Sequence, residues 1–215
     1  MKEFDEILKF YREIGAGFLE YHRENPITAL NEVNKEIQGC TKCELHQTKK
    51  NYVPGEGCAE PDIMFIGEGP GETEDNLGRP FVGSAGQLLD KLIERMGYSR
   101  ETVFIGNIVK CRPPGNRDPL APEVAACKSF LEKQVDILKP KVIVCLGKVA
   151  LNNLLDKDYS IIKERGKLFH FKNIPVIPTY HPAYILRQNT PEAVKKAKWE
   201  TWSDMQKVLD IVGKR

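Results

Sequence analysis

Ile63-Met64-Phe65-Ile66-Gly67-Glu68-Gly69-Pro70-Gly71-Glu72-Thr73-Glu74-Asp75 is the stretch whose reading decides the fold. Its first four residues form an apolar run short enough to be a strand buried on both faces. Gly67-Glu68-Gly69-Pro70-Gly71 then breaks the chain into a loop whose glycines reach backbone conformations closed to other residues. A glycine loop behind a buried strand often cradles phosphate, but this one lacks the Gly-Lys-Ser/Thr ending of a P-loop, and its GxGxG spacing is not the dinucleotide fingerprint. Its acids, Glu68, Glu72, Glu74 and Asp75, would also repel a phosphate. Carboxylates on a loop at the carboxyl end of a strand suit a site where positive charge develops or where water must be oriented. Glycosidic bond cleavage, with its oxocarbenium-like transition state, is such a chemistry. A tight strand-to-helix turn with solvated acids would carry the same residues, so this stretch alone leaves both readings open.

Strand and helix patterns alternate downstream of it. Ser84 to Met96 places Leu88, Leu89, Leu92 and Ile93 on one helical face, with Ser84 as the expected N-cap. Val103-Phe104-Ile105 is a second apolar strand, ending at Gly106-Asn107. The proline-rich segment from Arg112 to Pro119 can be neither helix nor central strand and reads as a rigid exposed loop. Pro122 opens a helix that contains Cys127 and runs to about Leu138. Val142 to Leu146 is a third strand, leading into Gly147-Lys148 and a helix, and Val176 to Tyr180 is the fourth, leading into His181-Pro182-Ala183-Tyr184-Ile185-Leu186-Arg187. Ile161-Ile162 and Leu168 to Phe171 suggest a small two-stranded element around Gly166, and a last helix spans about Pro191 to Val212. The expectation is a three-layer α/β/α fold with a central, largely parallel, four-stranded sheet covered on both faces. Ligands of such sheets sit beyond the carboxyl ends of the strands. The loops 67–75, 107–117 and 181–187 should therefore converge on one cleft.

Upstream, Phe4, Ile7, Leu8, Tyr11, Ile14 and Phe18 fall at helical spacing, and Ile27 to Gln38 forms a second helix stopped by Gly39. Residues 1–38 read as a helical extension and residues 39–215 as the main domain. The 215-residue chain has no apolar run of membrane-spanning length, and its charged, amphipathic N-terminus lacks a signal-peptide core. It reads as a soluble cytoplasmic protein with no membrane partner. The 32 Lys+Arg against 30 Asp+Glu give a net charge of +2, which neither demands nor excludes nucleic acid; Arg112, Arg117, Lys148 and Arg187, on other loops than the acids, leave a local basic face open. Six cysteines in an intracellular chain point to ligands, catalysis or core packing rather than disulfides. Cys145 belongs to a buried strand and Cys58 has no evident partner, which leaves Cys40 and Cys43, a CxxC pair, with Cys111 and Cys127. Four thiolates suit zinc or an iron-sulfur cluster, and spacing alone does not choose.

Gly67-Glu68-Gly69-Pro70-Gly71, Gly78-Arg79-Pro80-Phe81-Val82-Gly83, Asn107-Ile108-Val109-Lys110-Cys111-Arg112-Pro113-Pro114 and His181-Pro182-Ala183-Tyr184 resemble, in order, the motifs of the family 4 uracil-DNA glycosylases. These are the iron-sulfur members of the uracil glycosylase superfamily, and the likeness runs from about Cys40 to Arg187. It implies a DNA repair enzyme of the prokaryotic cytoplasm, associated with DNA, that flips uracil out and hydrolyses its N-glycosidic bond to leave an abasic site. By the same resemblance Phe81 stacks on the extruded base. Asn107 reads the uracil edge, since a carboxamide complements O4 and N3-H where cytosine presents the reverse pattern. His181 donates a hydrogen bond to O2 of the departing uracil. Gly69 and Pro70 offer backbone groups to the base.

This chain has Gly69 where family 1 enzymes carry an Asp, so the water-orienting or cation-stabilising role falls to Glu68 or Glu74, between which the sequence does not choose. Leu186 is the candidate wedge, with Arg187 close to phosphate, and Ser84, Arg112, Arg117 and Lys148 are candidate backbone contacts. For Cys40, Cys43, Cys111 and Cys127 the resemblance implies a 4Fe-4S cluster, expected to tie the CxxC segment to the loop starting at Cys111 and to the helix holding Cys127. A monomer is expected, and the sequence is silent on a sliding-clamp contact and on strand preference. Three other readings stand beside this one: a glycosylase for other deaminated bases, a module that grips uracil-DNA without turnover, and an electron carrier. The short loop from Arg112 to Pro119, with no histidine, weighs against a covalent trap. Nothing in the sequence requires redox work.

Overall fold

The apolar runs become strands because both of their faces must be hidden. Every residue of Ile63–Gly67, Phe104–Asn107 and Val142–Leu146 is buried, and a parallel sheet with helices on either side is the arrangement that removes both faces from water. The computed structural model describes residues 25–214. In chain order the elements are α1 (Pro26–Gln38), α2 (Leu45–Thr48), β1 (Glu56–Gly57), β2 (Ile63–Gly67), α3 (Glu72–Leu77), α4 (Ser84–Arg95), β3 (Phe104–Asn107), α5 (Ala121–Leu138), β4 (Val142–Leu146), α6 (Lys148–Leu155), α7 (Ile161–Glu164), β5 (Phe169–Phe171), β6 (Ile174–Thr179), α8 (Pro182–Leu186) and α9 (Pro191–Ile211).

The sheet order is β1-β3-β2-β4-β6-β5. The four central strands are parallel, as expected from the sequence. Two short antiparallel edge strands make the sheet six-stranded rather than four-stranded. β1 sits against β3 only because position 57 is glycine: a Cβ there would lie 1.9 Å from the Val103 carbonyl oxygen. β5 joins β6 through Lys172 and Asn173, both at positive φ (47° and 66°), the two-residue turn that matches the twist of a hairpin. The two-stranded element expected around Gly166 is therefore placed differently. Ile161 lies in the helical turn α7, and the partner of Phe169–Phe171 is the last core strand.

Alternation along the strands sorts the core into two layers. Met64, Ile66, Phe104, Ile143, Cys145 and Val176 share one cluster with residues of α1, α5 and α6. Ile63, Phe65, Ile105, Val142, Val144, Leu146 and Ile177 share the other with residues of α4 and α9. Each fully buried side chain of this size contributes about 1.5–3 kcal/mol. Of the stretch read as a helical extension, the helix expected over residues 3–23 lies outside the described residues. α1 begins with Pro26 after Asn25, whose side chain accepts from the Ile27 amide at 2.9 Å, and it buries Ala29, Leu30, Val33 and Ile37.

The connection out of β2 leads to β3 on one side, and that out of β4 leads to β6 on the other. The carboxyl ends of β2 and β4 thus flank a topological switch point, where loops diverge and leave a crevice.

Candidate active site

At the mouth of that crevice β3 ends on Asn107, which is 1% exposed and stands in register with Gly67 at the end of β2. A Cβ on Gly67 would lie 2.5 Å from both the Asn107 Oδ1 and the Phe81 Cζ. Glycine at this strand end is what lets the amide and the ring approach each other. Neither Oδ1 nor Nδ2 of Asn107 has a hydrogen-bond partner, although both are buried. A buried amide left empty costs about 1–3 kcal/mol per group, and such orphans recur where a ligand supplies the missing partners.

Phe81 is held in a conformation it would not choose. Its φ is 50°, in the left-handed region, strained for a residue with a large side chain. Arg100 supplies the compensation: its guanidinium donates to the Phe81 carbonyl at 3.0 Å and to the Pro80 carbonyl at 2.6 Å, while Glu56 and Asp90 hold it from the other side. Gly86 of α4 makes room, since a Cβ there would meet the Phe81 carbonyl oxygen at 1.8 Å. The Phe81 ring lies 5.6 Å from the His181 ring, with planes inclined at 33°.

His181 leaves the end of β6 and caps α8. Its Nδ1 accepts a hydrogen bond from the Ala183 amide at 3.1 Å. An accepting Nδ1 puts the hydrogen of the neutral ring on Nε2, which is then free to donate. Burial, aided by the Arg187 charge and opposed by Glu74, holds the pKa of His181 down to about 4. The strand end is fixed below it: Thr179 Oγ1 donates to Asp204 at 2.7 Å, and Arg165 pairs with the same carboxylate at 2.9 Å.

The two candidate glutamates have different surroundings. One oxygen of Glu74 accepts from the Val82 and Gly83 amides at 2.9 and 2.8 Å, so this carboxylate braces the segment leading from Phe81 into α4. The brace also corrects an expectation: Gly83, not Ser84, occupies the N-cap, and Ser84 opens the helix without a capping bond. Glu68 has no side-chain hydrogen bond or ion pair among the described residues. Burial and the nearby Asp118, against the opposing Arg187, raise its pKa to about 7.

Glu68, Gly69, Pro70, Glu74, Phe81, Ser84, Asn107, His181 and Arg187 line one cleft of about 380 Å³, within the range of ligand sites. Lys148 opens onto an adjoining hollow that shares Glu68, His181 and Arg187 with the cleft, and it pairs with Asp158 at 3.1 Å. Arg112 is not part of the cleft wall; it bonds Asn116 at 2.7 Å and lies 3.9 Å from Glu72. Arg117 lines the cleft, but its guanidinium is clamped by Glu123 at 2.6 and 2.9 Å, which anchors the loop to α5. Leu186 stands at the end of α8, 50% exposed, with Arg187 exposed beside it.

Cys40, Cys43, Cys111 and Cys127 arrive from three separate segments and line one pocket with Ile37, Leu45, Tyr52 and Phe130. None is in a disulfide. Burial pushes the thiols of Cys43, Cys111 and Cys127 up, that of Cys111 to about 12. Among the described residues no three or more cysteine, histidine or carboxylate groups are gathered so as to hold a single metal ion. Cys145 is wholly buried in β4, as its strand pattern indicates.

Lys110 is the residue that sequence reasoning passed over. It is 1% exposed, and its Nζ donates to the Asn107 carbonyl at 2.8 Å and to Gln134 Oε1 at 2.7 Å. Gln134 in turn donates to the Pro54 carbonyl at 2.8 Å. Burial lowers the Lys110 pKa to about 8. The signal was present: one lysine inside the apolar run Ile108-Val109-Lys110-Cys111 has to be buried with acceptors or break the run.

The sequence model of the Uracil DNA glycosylase superfamily matches residues 54–206 of the chain. The chain is 42% identical over 195 residues to a Type-4 uracil-DNA glycosylase of Archaeoglobus fulgidus, covering 87% of this chain and 95% of that protein. It is 49% identical over 162 residues to a Type-4 uracil-DNA glycosylase of Thermotoga maritima, covering 74% of this chain and 84% of that one. A Type-5 uracil-DNA glycosylase of Thermus thermophilus is 31% identical over 159 residues, covering 64% of this chain and 70% of that protein.

Proposed function

The chain belongs to the uracil DNA glycosylase superfamily, and we propose that it excises uracil from DNA at the cleft of Phe81, Asn107 and His181, releasing free uracil and leaving an abasic site. The observation that carries this reading is the buried Asn107 amide with donor and acceptor both unpartnered. One acceptor and one donor side by side match uracil O4 and N3-H, and an amide fixed in that orientation mismatches cytosine. Extrusion brings the base into the cleft, where the Phe81 face supports stacking. The bond from C1′ to N1 breaks with its electron pair moving to the base, and charge collects on O2. The Nε2-H of a neutral His181 stabilises that oxygen without transferring its proton. Glu68, unengaged where Glu74 is occupied, is the carboxylate that faces the sugar cation and orients water. Water adds to C1′, and its proton passes to Glu68.

Cys40, Cys43, Cys111 and Cys127 would hold an iron-sulfur cluster. Four thiols from separate segments around one pocket, none in a disulfide, fit such a group. Its contribution when bound is a cross-link between the segment after α1, the loop after Lys110 and α5. Among the described residues no helix is long and apolar enough to cross a membrane.

Excision of uracil from a labelled oligonucleotide by purified protein tests the reading. Wild-type protein should cut, His181→Ala should slow the chemical step about 100-fold or more, and Asn107→Asp should lose uracil preference. Comparable release of hypoxanthine or xanthine would transfer the assignment to a glycosylase of wider range. DNA binding without release of any base would reduce it to a binding module. For the cysteines, Cys111→Ser should abolish the visible absorbance and iron content of anaerobically purified protein; a wild type with neither would end the cluster assignment.

A further inference from the structure

Away from the cleft, Lys91 and Arg95 on α4 and Lys195 and Lys198 on α9 surround two hollows that meet at Arg95, Lys198 and Trp202. All four cations are exposed. Elsewhere on the surface cations are commonly matched, as Arg79 is by Glu56, Lys133 by Glu36, Lys141 by Asp62 and Lys172 by Asp136. Here no carboxylate lines either hollow, and none of the four has an ion-pair partner among the described residues. Arg95 instead lies 4.3 Å over the Trp202 ring. Trp199, one turn along α9, is 69% exposed. Apart from the Arg95–Trp202 contact, these charges and the exposed indole have no partner among the described residues that would account for their gathering. Their composition is that of a surface for polyanion with stackable bases.

Its position points the same way. The inner hollow is closed by Tyr180, Pro182 and Ile185, from the segment that holds His181 between the first two of them and runs on into Leu186 and Arg187. The basic surface and the cleft therefore flank the single short helix α8, whose Pro182 and Ile185 line the inner hollow while Ala183, and Arg187 just after the helix, line the cleft.

We propose that the surface between α4 and α9 formed by Lys91, Arg95, Lys195, Lys198 and Trp199 is a second DNA site, which holds single-stranded DNA flanking the extruded nucleotide. The cations take successive phosphates, and Trp199 stacks on an unpaired base. The inference rests on the uracil-excision reading for its placement relative to the lesion, but not for its binding chemistry.

The test compares wild type with Lys195→Ala/Lys198→Ala/Trp199→Ala by fluorescence anisotropy. The probes are two single-stranded oligonucleotides carrying a non-hydrolysable 2′-fluoro deoxyuridine, one of roughly five nucleotides and one of roughly twenty. Wild type should bind the longer probe more tightly. The triple variant should lose about tenfold on the longer probe and show a salt slope shallower by about 1.4, the share of two phosphate contacts on a single strand. Affinity for the short probe and the excision rate at saturating DNA should stay as in wild type. Equal affinities and slopes for variant and wild type on the longer probe would overturn the proposal and leave the surface to a protein partner. So would an equal loss on both probes. A wild type that fails to excise uracil, yet loses length-dependent affinity on substitution, would overturn the uracil reading and retain this site; a variant that excises and binds as wild type does the reverse.

Discussion

Single atoms decide whether this cleft can work. Gly67 is the sharpest case, because a methyl group there would meet both the Asn107 amide and the Phe81 ring at 2.5 Å. Gly67→Ala should lower kcat/KM for uracil about 100-fold, the scale of a misplacement near 1 Å. Thermal unfolding should shift by only a few degrees, and single-turnover excision kinetics beside a melting curve check both. Glu68 supplies a pH-dependent counterpart. With its pKa raised from 4.5 to about 7, chiefly by burial, its carboxylate forms as pH rises through neutrality, and excision should rise across the same window. His181, neutral above about 4, does not limit that window. Between pH 4.5 and 7 the folded chain keeps a proton on Glu68 that the unfolded chain releases, so stability falls as pH rises through this range. Glu68→Gln should therefore flatten the activity profile and, at pH 8, gain about 1 kcal/mol of unfolding free energy after allowance for solvent screening. A variant with wild-type pH dependence would remove Glu68 from the chemistry. Of these residues, Phe81, Asn107 and His181 could be picked out in the sequence because they stand in motifs that resemble those of a known family, Asn107 and His181 at strand ends and Phe81 between two helices. The choice between Glu68 and Glu74 could not, because it depends on the Val82 and Gly83 amides turning back toward one of them.

Between elements, the telling connection runs through Lys110, from the Asn107 carbonyl at the end of β3 to Gln134 on α5 and on to Pro54 before β1. It couples Asn107 to the helix that carries Cys127. Lys110→Met should destabilise the fold by about 2–4 kcal/mol by stranding buried acceptors. Lys110→Met/Gln134→Leu should recover part of that loss while uracil affinity stays weakened, since nothing then holds the Asn107 backbone. Chemical denaturation and the KM for excision separate the two effects, and a double variant with wild-type KM would show that Lys110 serves packing alone. The central strands were legible as elements because burial on both faces leaves an uninterrupted apolar run. The edge strands were legible only in part: residues 168–171 read as a strand, but their pairing with the last core strand was not legible. Glu56–Gly57 is two residues long, and the β5–β6 hairpin turns on Lys172 and Asn173, which lack the glycine that advertises such a turn. Ile161 was misread as strand because two β-branched residues in a row look alike in a strand and in a single helical turn.

For the whole molecule, parallel strands place three loops at one end of the sheet, and the cysteine pocket ties α1, the loop after Lys110 and α5 together beside it. If a cluster fills that pocket, stripping iron with a chelator should lower the melting temperature by several degrees and weaken excision together, because Asn107 lies four residues from Cys111. Loss of colour with unchanged melting and activity would confine the cysteines to packing. The sequence by itself determined the layered α/β architecture and the four parallel strands, because periodicity and composition act within a few residues of the chain, and the residues of the cleft stood out only through the resemblance of their motifs to a family. Tertiary structure alone decided which glutamate is unengaged, which histidine nitrogen carries the hydrogen, that Arg117 is a brace held by Glu123, and that a buried lysine supports Asn107. Hydrogen-bond partners and desolvation are set by groups that become neighbours only when the chain folds, as Arg100 with Glu56 and Gln134 with Pro54 do across 44 and 80 positions.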